Sequence, residues 1–404
     1  MTKRVLIVGG GVIGLCTAYY TAERGFDVTV CDRGLESDLG CSYGNAGMIT
    51  PSHFVPLAAP GVIRLALKWM ANPESPFYMK PRFDRRLIDW AWKFYRAATV
   101  EHVLRSSPLL LELNLAGRAC FVQLASAWND FDLEQKGIIM ICNTEEGMSH
   151  EMATAEMSRE LGLAVQILDA KQLAAMEPDL QMRVAGGIYF PKDAYLAPWR
   201  FMSALKKRVP VHWQTPVKLR VNGDRVDSDL KADEYVICGG AWSSTIARDL
   251  QLDLPMQAGK GYSLTLQHPK RTPRHAMILS EARVAVTPMN GSLRFGGTME
   301  ITGNDLSINP ARVRGIIKAV PKYLPDFSGD DFRDVKPWAG LRPCSPDGLP
   351  YIGRFARYKN LSVATGHAMM GLSLGPITGK LMADVLTGED PSIAIEKLSP
   401  DRYA

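Results

Sequence analysis

The chain has no Cys-x-x-Cys pair and no cysteine–histidine cluster; its seven cysteines, at 16, 31, 41, 120, 142, 238 and 344, are scattered over 404 residues. That spacing excludes a zinc module and a dense disulfide framework, and an odd number of isolated cysteines reads as reduced thiols in a cytoplasmic protein. No apolar run approaches the roughly 18 residues of a membrane-spanning helix once glycine, proline and charge are discounted. Neither sign of charge dominates: 47 Lys and Arg against 42 Asp and Glu leave +5, mild enough to favour an anionic substrate without calling for nucleic acid. No nucleic-acid-binding signature and no repeated unit is visible. What is present is an ordinary globular composition, 46% hydrophobic and 22% charged, long enough for two or three domains at about 150 residues each.

The first informative stretch is "KRVLIVGGGVIGLCTAYYTAERGFDVTVCDRG". A basic start before an apolar run reads superficially as an export signal, but three consecutive glycines break the helical segment that signal needs, and no small-x-small cleavage site follows. A nucleotide cradle accounts for more of the residues. "RVLIV" reads as a buried strand and "VIGLCTAYYTAERG" as a helix ending at Gly25. Between them lies Gly9-x-Gly11-x-x-Gly14: Gly9 for the tight turn, Gly11 for backbone approach to a pyrophosphate, Gly14 for close helix–strand packing. Val12 and Ile13 open the helix, whose N-terminus offers free N–H groups. Asp32, 18 residues after Gly14 at the end of "VTVCD", stands where an acid accepts a ribose hydroxyl.

Beyond a Gly/Pro-rich loop over 40–61, residues 62 to about 180 read as mostly helical, interrupted by the strand-like "KGIIMICN". Short strands follow, with Asn222-Gly223 as a hairpin signal. Strand–glycine–helix units recur at "YVICGGAWSSTIARDL" and "NLSVATGHAMMGLSLGPITGKLMAD". The expected fold is therefore α/β, a Rossmann-like dinucleotide domain assembled from 1–56, 194–250 and 330–404. An α+β substrate domain with a mixed or antiparallel sheet takes 57–193 and 251–329.

The ordered motifs "CSYGNAGMITPSHFVPLAAPG", "GGIYFPKDAYLAPWRF", "YVICGGAWS", "GLRPCSPDGLPYIG" and "NLSVATGHAMMGLSLGPITGKLMAD" span the whole chain. They resemble the FAD-dependent D-amino-acid dehydrogenases, within the wider D-amino-acid oxidase and glycine oxidase superfamily. The resemblance implies FAD and oxidation of an amine that carries a carboxylate. It implies adenosine contacts at Asp32 and Arg33, and a flavin ribityl and pyrophosphate loop at Ser42, Asn45, Ala46, Gly47 and Met48. Further cofactor contacts are implied at Val217, Gly239, Gly240, Trp242 and Gly340, with the flavin ring facing Gly366, His367, Ala368, Met369, Met370 and Gly371. A helix N-terminus after that last segment would place positive dipole near the reduced ring. His367 reads equally as a hydrogen-bonding partner of the ring or as a structural pin, and Met369 and Met370 as packing.

The resemblance implies Arg342, in "GLRPCSPDG", as the substrate's carboxylate anchor, a role that suits its guanidinium fork, which matches a carboxylate bidentately. The resemblance also implies Tyr262 at the pocket edge, where its hydroxyl would supplement Arg342, with His53 and Tyr195 as weaker candidates. Cys344 lies in "RPCSPD", unlike the attachment pattern of the covalent-flavin members, so FAD is expected to be non-covalent; no metal site is expected. The implied chemistry is hydride loss from Cα of a D-amino acid or cyclic imino acid to flavin N5, with proline or hydroxyproline side chains favoured by an apolar wall. Electrons would pass to a quinone or other carrier. The alternatives are an oxidase using oxygen and a non-catalytic FAD-loaded subunit. The basic, aromatic stretch 62–98 is expected either to touch the inner face of a membrane or to pack as ordinary helices. Assembly as an oligomer or hetero-complex is left open.

Overall fold

A computed structural model describes residues 2–37 and 40–404. The β-branched run "RVLIV" forms β1 (Arg4–Val8), and α1 (Val12–Glu23) follows the glycine turn. Gly25, at φ +83°, turns the chain out of that helix. The chain returns as β2 (Asp27–Cys31), parallel to β1. With β9 (Val211–His212), β12 (Glu234–Ile237), β18 (Tyr351–Arg354) and β19 (Leu361–Thr365) they build a six-stranded sheet of order β18-β19-β12-β1-β2-β9. Only β18 runs antiparallel. The parallel strands β1, β2, β12 and β19 therefore end on one edge, at Val8, Cys31, Ile237 and Thr365, the edge at which doubly wound sheets take ligands.

A second, mixed sheet has the order β17-β13-β16-β15-β14-β5-β7-β6. Its strands are β5 (Ile138–Cys142), β6 (Gln166–Asp169), β7 (Gly186–Phe190), β13 (Gln257–Gln267), β14 (Ala276–Leu279), β15 (Val284–Met289), β16 (Ser292–Ile301) and β17 (Trp338–Cys344), with β4 (Phe77–Met79) pairing to the end of β16. β17 fell inside the expected dinucleotide segment 330–404, yet it pairs with β13 from Gln257↔Cys344 to Ser263↔Trp338. By strand pairing residues 338–344 go with the second sheet. Nothing local in "WAGLRPC" names its partner, because strand pairing over about 80 residues is a long-range choice.

Alternation along these strands sends residues to two cores. Ile138, Met140 and Ile278 join the core shared with α1 and β1, whereas Ile139, Ile141, Met277, Leu279 and Tyr262 join a second core with Val313 and Ile316 of α9 (Pro310–Tyr323). Flanking elements are α2 (Val62–Met70), α3 (Arg85–Ala97), α4 (Val100–Trp128), α5 (Glu145–Glu160), α6 (Ala170–Met176), α7 (Pro198–Lys206), α8 (Ser243–Asp249) and α10 (Gly375–Thr387), with β3 (Met48–Ile49) pairing β8 (Ala194–Tyr195). α4 begins before the expected helix, running through Pro108. Thr99 caps it and the His102 ring bonds Asp347 O at 2.8 Å, so tertiary contact overrides the breaker. The hairpin β10 (Arg220–Asn222) and β11 (Arg225–Asp227) forms one residue later than expected, with Asn222 paired to Arg225 and Gly223-Asp224 as its loop.

Candidate active site

The three fingerprint glycines are held for different reasons. Gly9 sits at φ +121°, and a Cβ there would lie 2.4 Å from Cys238 O; a Cβ on Gly14 would lie 1.9 Å from Gly9 O. Both are demanded by the chain's own packing. A Cβ on Gly11 would meet only Ser42 Oγ, at an ordinary 3.6 Å, so this position is left open for an approaching ligand. Val12 N–H donates to Ser42 Oγ at 3.0 Å, which ties the glycine turn to the loop that follows β2.

Asp32 accepts N–H bonds from Gly10 (2.7 Å) and Gly34 (2.8 Å), one on each oxygen. Its carboxylate braces the turn and keeps lone pairs for a further donor. The Arg33 guanidinium lies 4.5 Å over the Trp242 ring. Gly240, at φ +55°, and Gly239 close β12, where Thr365 Oγ1 donates to Gly240 O (3.2 Å) and so joins the ends of β12 and β19. Val217 is partly buried against the core behind these strands; its side chain packs.

The loop over 42–48 is pinned by a residue that sequence reasoning missed. Arg294, 8% exposed, donates to Tyr43 O and Asn45 O (both 2.8 Å) and to Thr265 Oγ1 (3.0 Å), and stacks on Trp199 at 5.0 Å. No carboxylate pairs with it among the described residues, and burial draws its guanidinium down to about 10. The available signal was a lone charge between Leu293 and Phe295 in an alternating strand. Asn45 Oδ1 accepts Gly47 N–H (2.8 Å), Ala46 packs near Gly296, and Met48 opens β3.

Arg342 lies on β17 opposite Gly259. A Cβ on Gly261 would fall 2.1 to 2.3 Å from the guanidinium, so the fork rests flat on a glycine. Nη1 donates to Thr298 O at 2.7 Å; the Nε and Nη2 edge has no partner among the described residues. Trp338, on the same face, lies over Gly340 and against Gly44. Tyr262 corrects an expectation. It pairs with Ala339, one residue out of phase with Gly261 and Arg342, so it points to the other face, where its hydroxyl donates to Glu300. It does not supplement Arg342.

His367 is 3% exposed, its Nε2 lies 2.9 Å from Thr378 Oγ1, and its buried Nδ1 has no partner. Burial lowers it to about 3, so the ring is neutral at working pH. Ala368, at φ +47°, begins a 3-10 turn through Met370, and α10 starts only at Gly375. The helix N-terminus expected directly after the strand is thus displaced by this turn, and Thr378 of α10 reaches back to His367 instead. Met369 is 46% exposed, and Met370 Sδ lies 3.8 Å from Thr50 Oγ1. Tyr195 is buried with its hydroxyl on Arg274 O, while His53 closes a turn over 50–53.

The pattern of the family described as FAD dependent oxidoreductase matches residues 4–385. The chain belongs to this family. Two curated relatives named D-amino acid dehydrogenase align across 99% of this chain and 99% of their own length, that of Paramagnetospirillum magneticum at 32% identity and that of Methylobacterium nodulans at 33%. Among solved structures, glycine oxidase from Geobacillus kaustophilus superposes with a TM-score of 0.79 at 24% identity, covering 100% of both chains. L-proline dehydrogenase from P. horikoshii gives 0.73 at 17%, covering 100% of this chain and 98% of its own.

The family's cofactor is FAD, and the residues present suit it: an open Gly11 beside a helix N-terminus, a strand-edge carboxylate at Asp32, and an unpaired buried Nδ1 on His367 at the end of β19.

Proposed function

We propose that this chain is a D-amino-acid dehydrogenase that holds its substrate's carboxylate on Arg342 and binds FAD non-covalently along residues 9–14, 42–48 and 366–371. The observation that carries this reading is the half-buried Arg342 fork, whose Nε/Nη2 edge lacks a carboxylate among the described residues. A bidentate anchor fixes which face of Cα is presented, and with it the enantiomer. The names of the two full-length relatives support the substrate class. Bound FAD supplies the acceptor for the hydride leaving Cα. The chain's own work is orientation: Thr298 O aims the fork, and Arg294 stiffens the loop over 42–48. Cys344 is 1% exposed and burial pushes its thiol up to about 12, which supports non-covalent binding, since a thiolate is the reactive form.

Met369 and Met370 offer an apolar, adaptable wall, so D-proline or a hydroxylated D-proline is favoured over D-aspartate or D-glutamate, whose side chains would lose hydration without gaining a partner. Electrons pass to a quinone or similar carrier. α3 supports a site of access to it. Leu87, Trp90 and Phe94 pack inward in a cluster with Cys344, Met299 and Ala368, while Ile88 (59% exposed), Trp92 (59%) and Tyr95 (61%) of α3 face outward, as does Leu67 (65%) of α2. Arg85, Arg86 and Arg96 of α3 and Lys68 of α2 share these two helices, which suits an anionic membrane surface. No helix among the described residues is long and apolar enough to cross a membrane.

The test is anaerobic flavin bleaching by a panel of D- and L-amino acids, D-prolines, glycine and sarcosine. D-enantiomers should bleach it and L-enantiomers should not. An acidic D-amino acid exceeding D-proline in kcat/KM overturns the apolar wall, and peroxide release in air replaces the carrier with oxygen. Salt-sensitive co-sedimentation with anionic liposomes tests the α2–α3 face.

A further inference from the structure

We propose that His53, Ser52 and Asp193 form a proton relay that deprotonates the substrate ammonium; this rests on the amino-acid reading above. An amino acid binds as an ammonium ion, and its nitrogen lone pair must be freed before it can help expel hydride from Cα. Arg342 supplies no base, and His367 is sealed in the core, its Nε2 on Thr378 and its Nδ1 closed off from solvent.

The relay is continuous. Ser52 N–H donates to Asp193 Oδ1 at 3.0 Å, Ser52 Oγ donates to Asp193 Oδ2 at 2.5 Å, and His53 Nδ1 lies 3.0 Å from Ser52 Oγ. With the serine proton committed to an ionised Asp193, Nδ1–H must donate to Ser52 Oγ, which leaves the Nε2 lone pair outward. Nε2 has no partner among the described residues, nor is it among the sealed polar atoms. The turn carrying it lies beside the flavin-facing segment: His53 N–H bonds Thr50 O, Thr50 N–H bonds Ser373 Oγ, and Thr50 Oγ1 touches Met370. Ile49 pairs with Ala194, which sets Asp193 across from the turn.

The charges around the chain of groups favour passing the proton inward. The cation facing His53 is Arg283 of the β14–β15 turn, itself 3.9 Å from Glu151 of α5. Burial and Arg283 lower the imidazole to about 4, so an imidazolium is a poor resting place. Asp193 is fully buried, with Arg118 of α4 as the cation facing it, and burial pushes it up to about 7. The substrate N–H bond breaks as Nε2–H forms, Nδ1–H passes to Ser52 Oγ, and the serine's own proton passes to Asp193 Oδ2. Ammonium and carboxylate are both neutralised, the imidazole ends in its other tautomer, and no electrons move.

The test uses FAD-loaded protein and whichever D-amino acid bleaches it. Anaerobic flavin-reduction rates are followed against pH for wild type, Ser52→Ala, Ser52→Thr and Asp193→Asn. Ser52→Ala and Asp193→Asn should lose on the order of 100-fold near pH 7, a loss that shrinks toward alkaline pH as the substrate amine deprotonates in solution; Ser52→Thr should retain most of the rate. A loss constant at every pH, or an unaltered Ser52→Ala profile, overturns the relay. If Asp193→Asn does not fold, Ser52→Ala decides. Histidine ¹⁵N NMR gives a readout independent of turnover. His53 should carry its proton on Nδ1 at alkaline pH and on Nε2 once Asp193 protonates, and a tautomer unchanged across neutrality overturns the relay. If no amino acid bleaches wild type, the substrate reading falls and the tautomer still judges the relay.

Discussion

The two faces of the large mixed sheet treat buried charge in opposite ways. On the α9 face, Glu300, 1% exposed, accepts from Tyr262, Asn309 and Arg312 and lies 3.6 Å from Lys260, itself 2% exposed. Every charge there is answered within the chain. On the other face, Arg342 and Arg294 have no carboxylate among the described residues and donate to backbone carbonyls. A balanced cluster is architecture, and on the other face Arg294 is likewise spent on the loop over 42–48, so that Arg342 alone keeps an unanswered edge for the carboxylate proposed above. One residue separates the two, Gly261 under Arg342 and Tyr262 beneath the sheet, because successive strand residues face opposite ways.

Truncating the balanced face should cost most. Glu300→Ala leaves Arg312 buried without its anion and Lys260 with Asp305 alone, 3.3 Å away, and a loss of about 3–5 kcal/mol in stability is expected, read as a fall in Tm or denaturation midpoint. If it loses activity at unchanged stability, the contrast between the faces collapses. Arg342→Lys should do the reverse. FAD stays bound and Tm barely moves, while kcat/KM falls by about 2–4 kcal/mol, since a point charge cannot reproduce the fork. An unfolded Arg342→Lys protein would make Arg342 architectural too.

Gly261→Ala sharpens the comparison further, because it intrudes on the guanidinium without touching its charge. A cost of about 1–3 kcal/mol, the usual range for overpacking, should show first in KM for the amino acid. The smallest effect is a slope with pH. His53 and His367 are lowered to about 4 and about 3 from 6.5. The unfolded chain therefore binds more protons there, and their stabilisation, whole above pH 6.5, is lost as pH falls. Asp193 is raised to about 7 from 3.8, so the folded state holds its extra proton between those values and offsets one histidine. Asp193→Asn should steepen the loss of stability between about pH 6 and 5 by roughly 1.4 kcal/mol per pH unit, measurable by denaturant titration.

How much of this was legible depends on the range of the interaction. The turn at Gly9, the end of α1 before Gly25 and the strand–glycine–helix units rest on local pattern, whereas Arg342 as a candidate anchor and "SYGNAG" as a cofactor loop rest on the family resemblance. Arg294 was missed because a lone arginine in a strand reads as surface charge until its partner loop arrives from 250 residues upstream. Tyr262 was misplaced because the strand's phase relative to Arg342 is set by pairing between β13 and β17, which no spacing within either segment reveals.

By itself, then, the sequence determined the dinucleotide half: short-range sterics of glycine, β-branched strands and helix ends dictate that geometry wherever such a unit folds. The tertiary structure alone decided that β17 crosses to the second sheet, that Tyr262 turns away, and that Arg294 holds the loop over 42–48. It also brought Asp193 to Ser52 across the β3–β8 pair. Those outcomes depend on strand register and on the cost of burying charge, and both are settled only when distant segments meet.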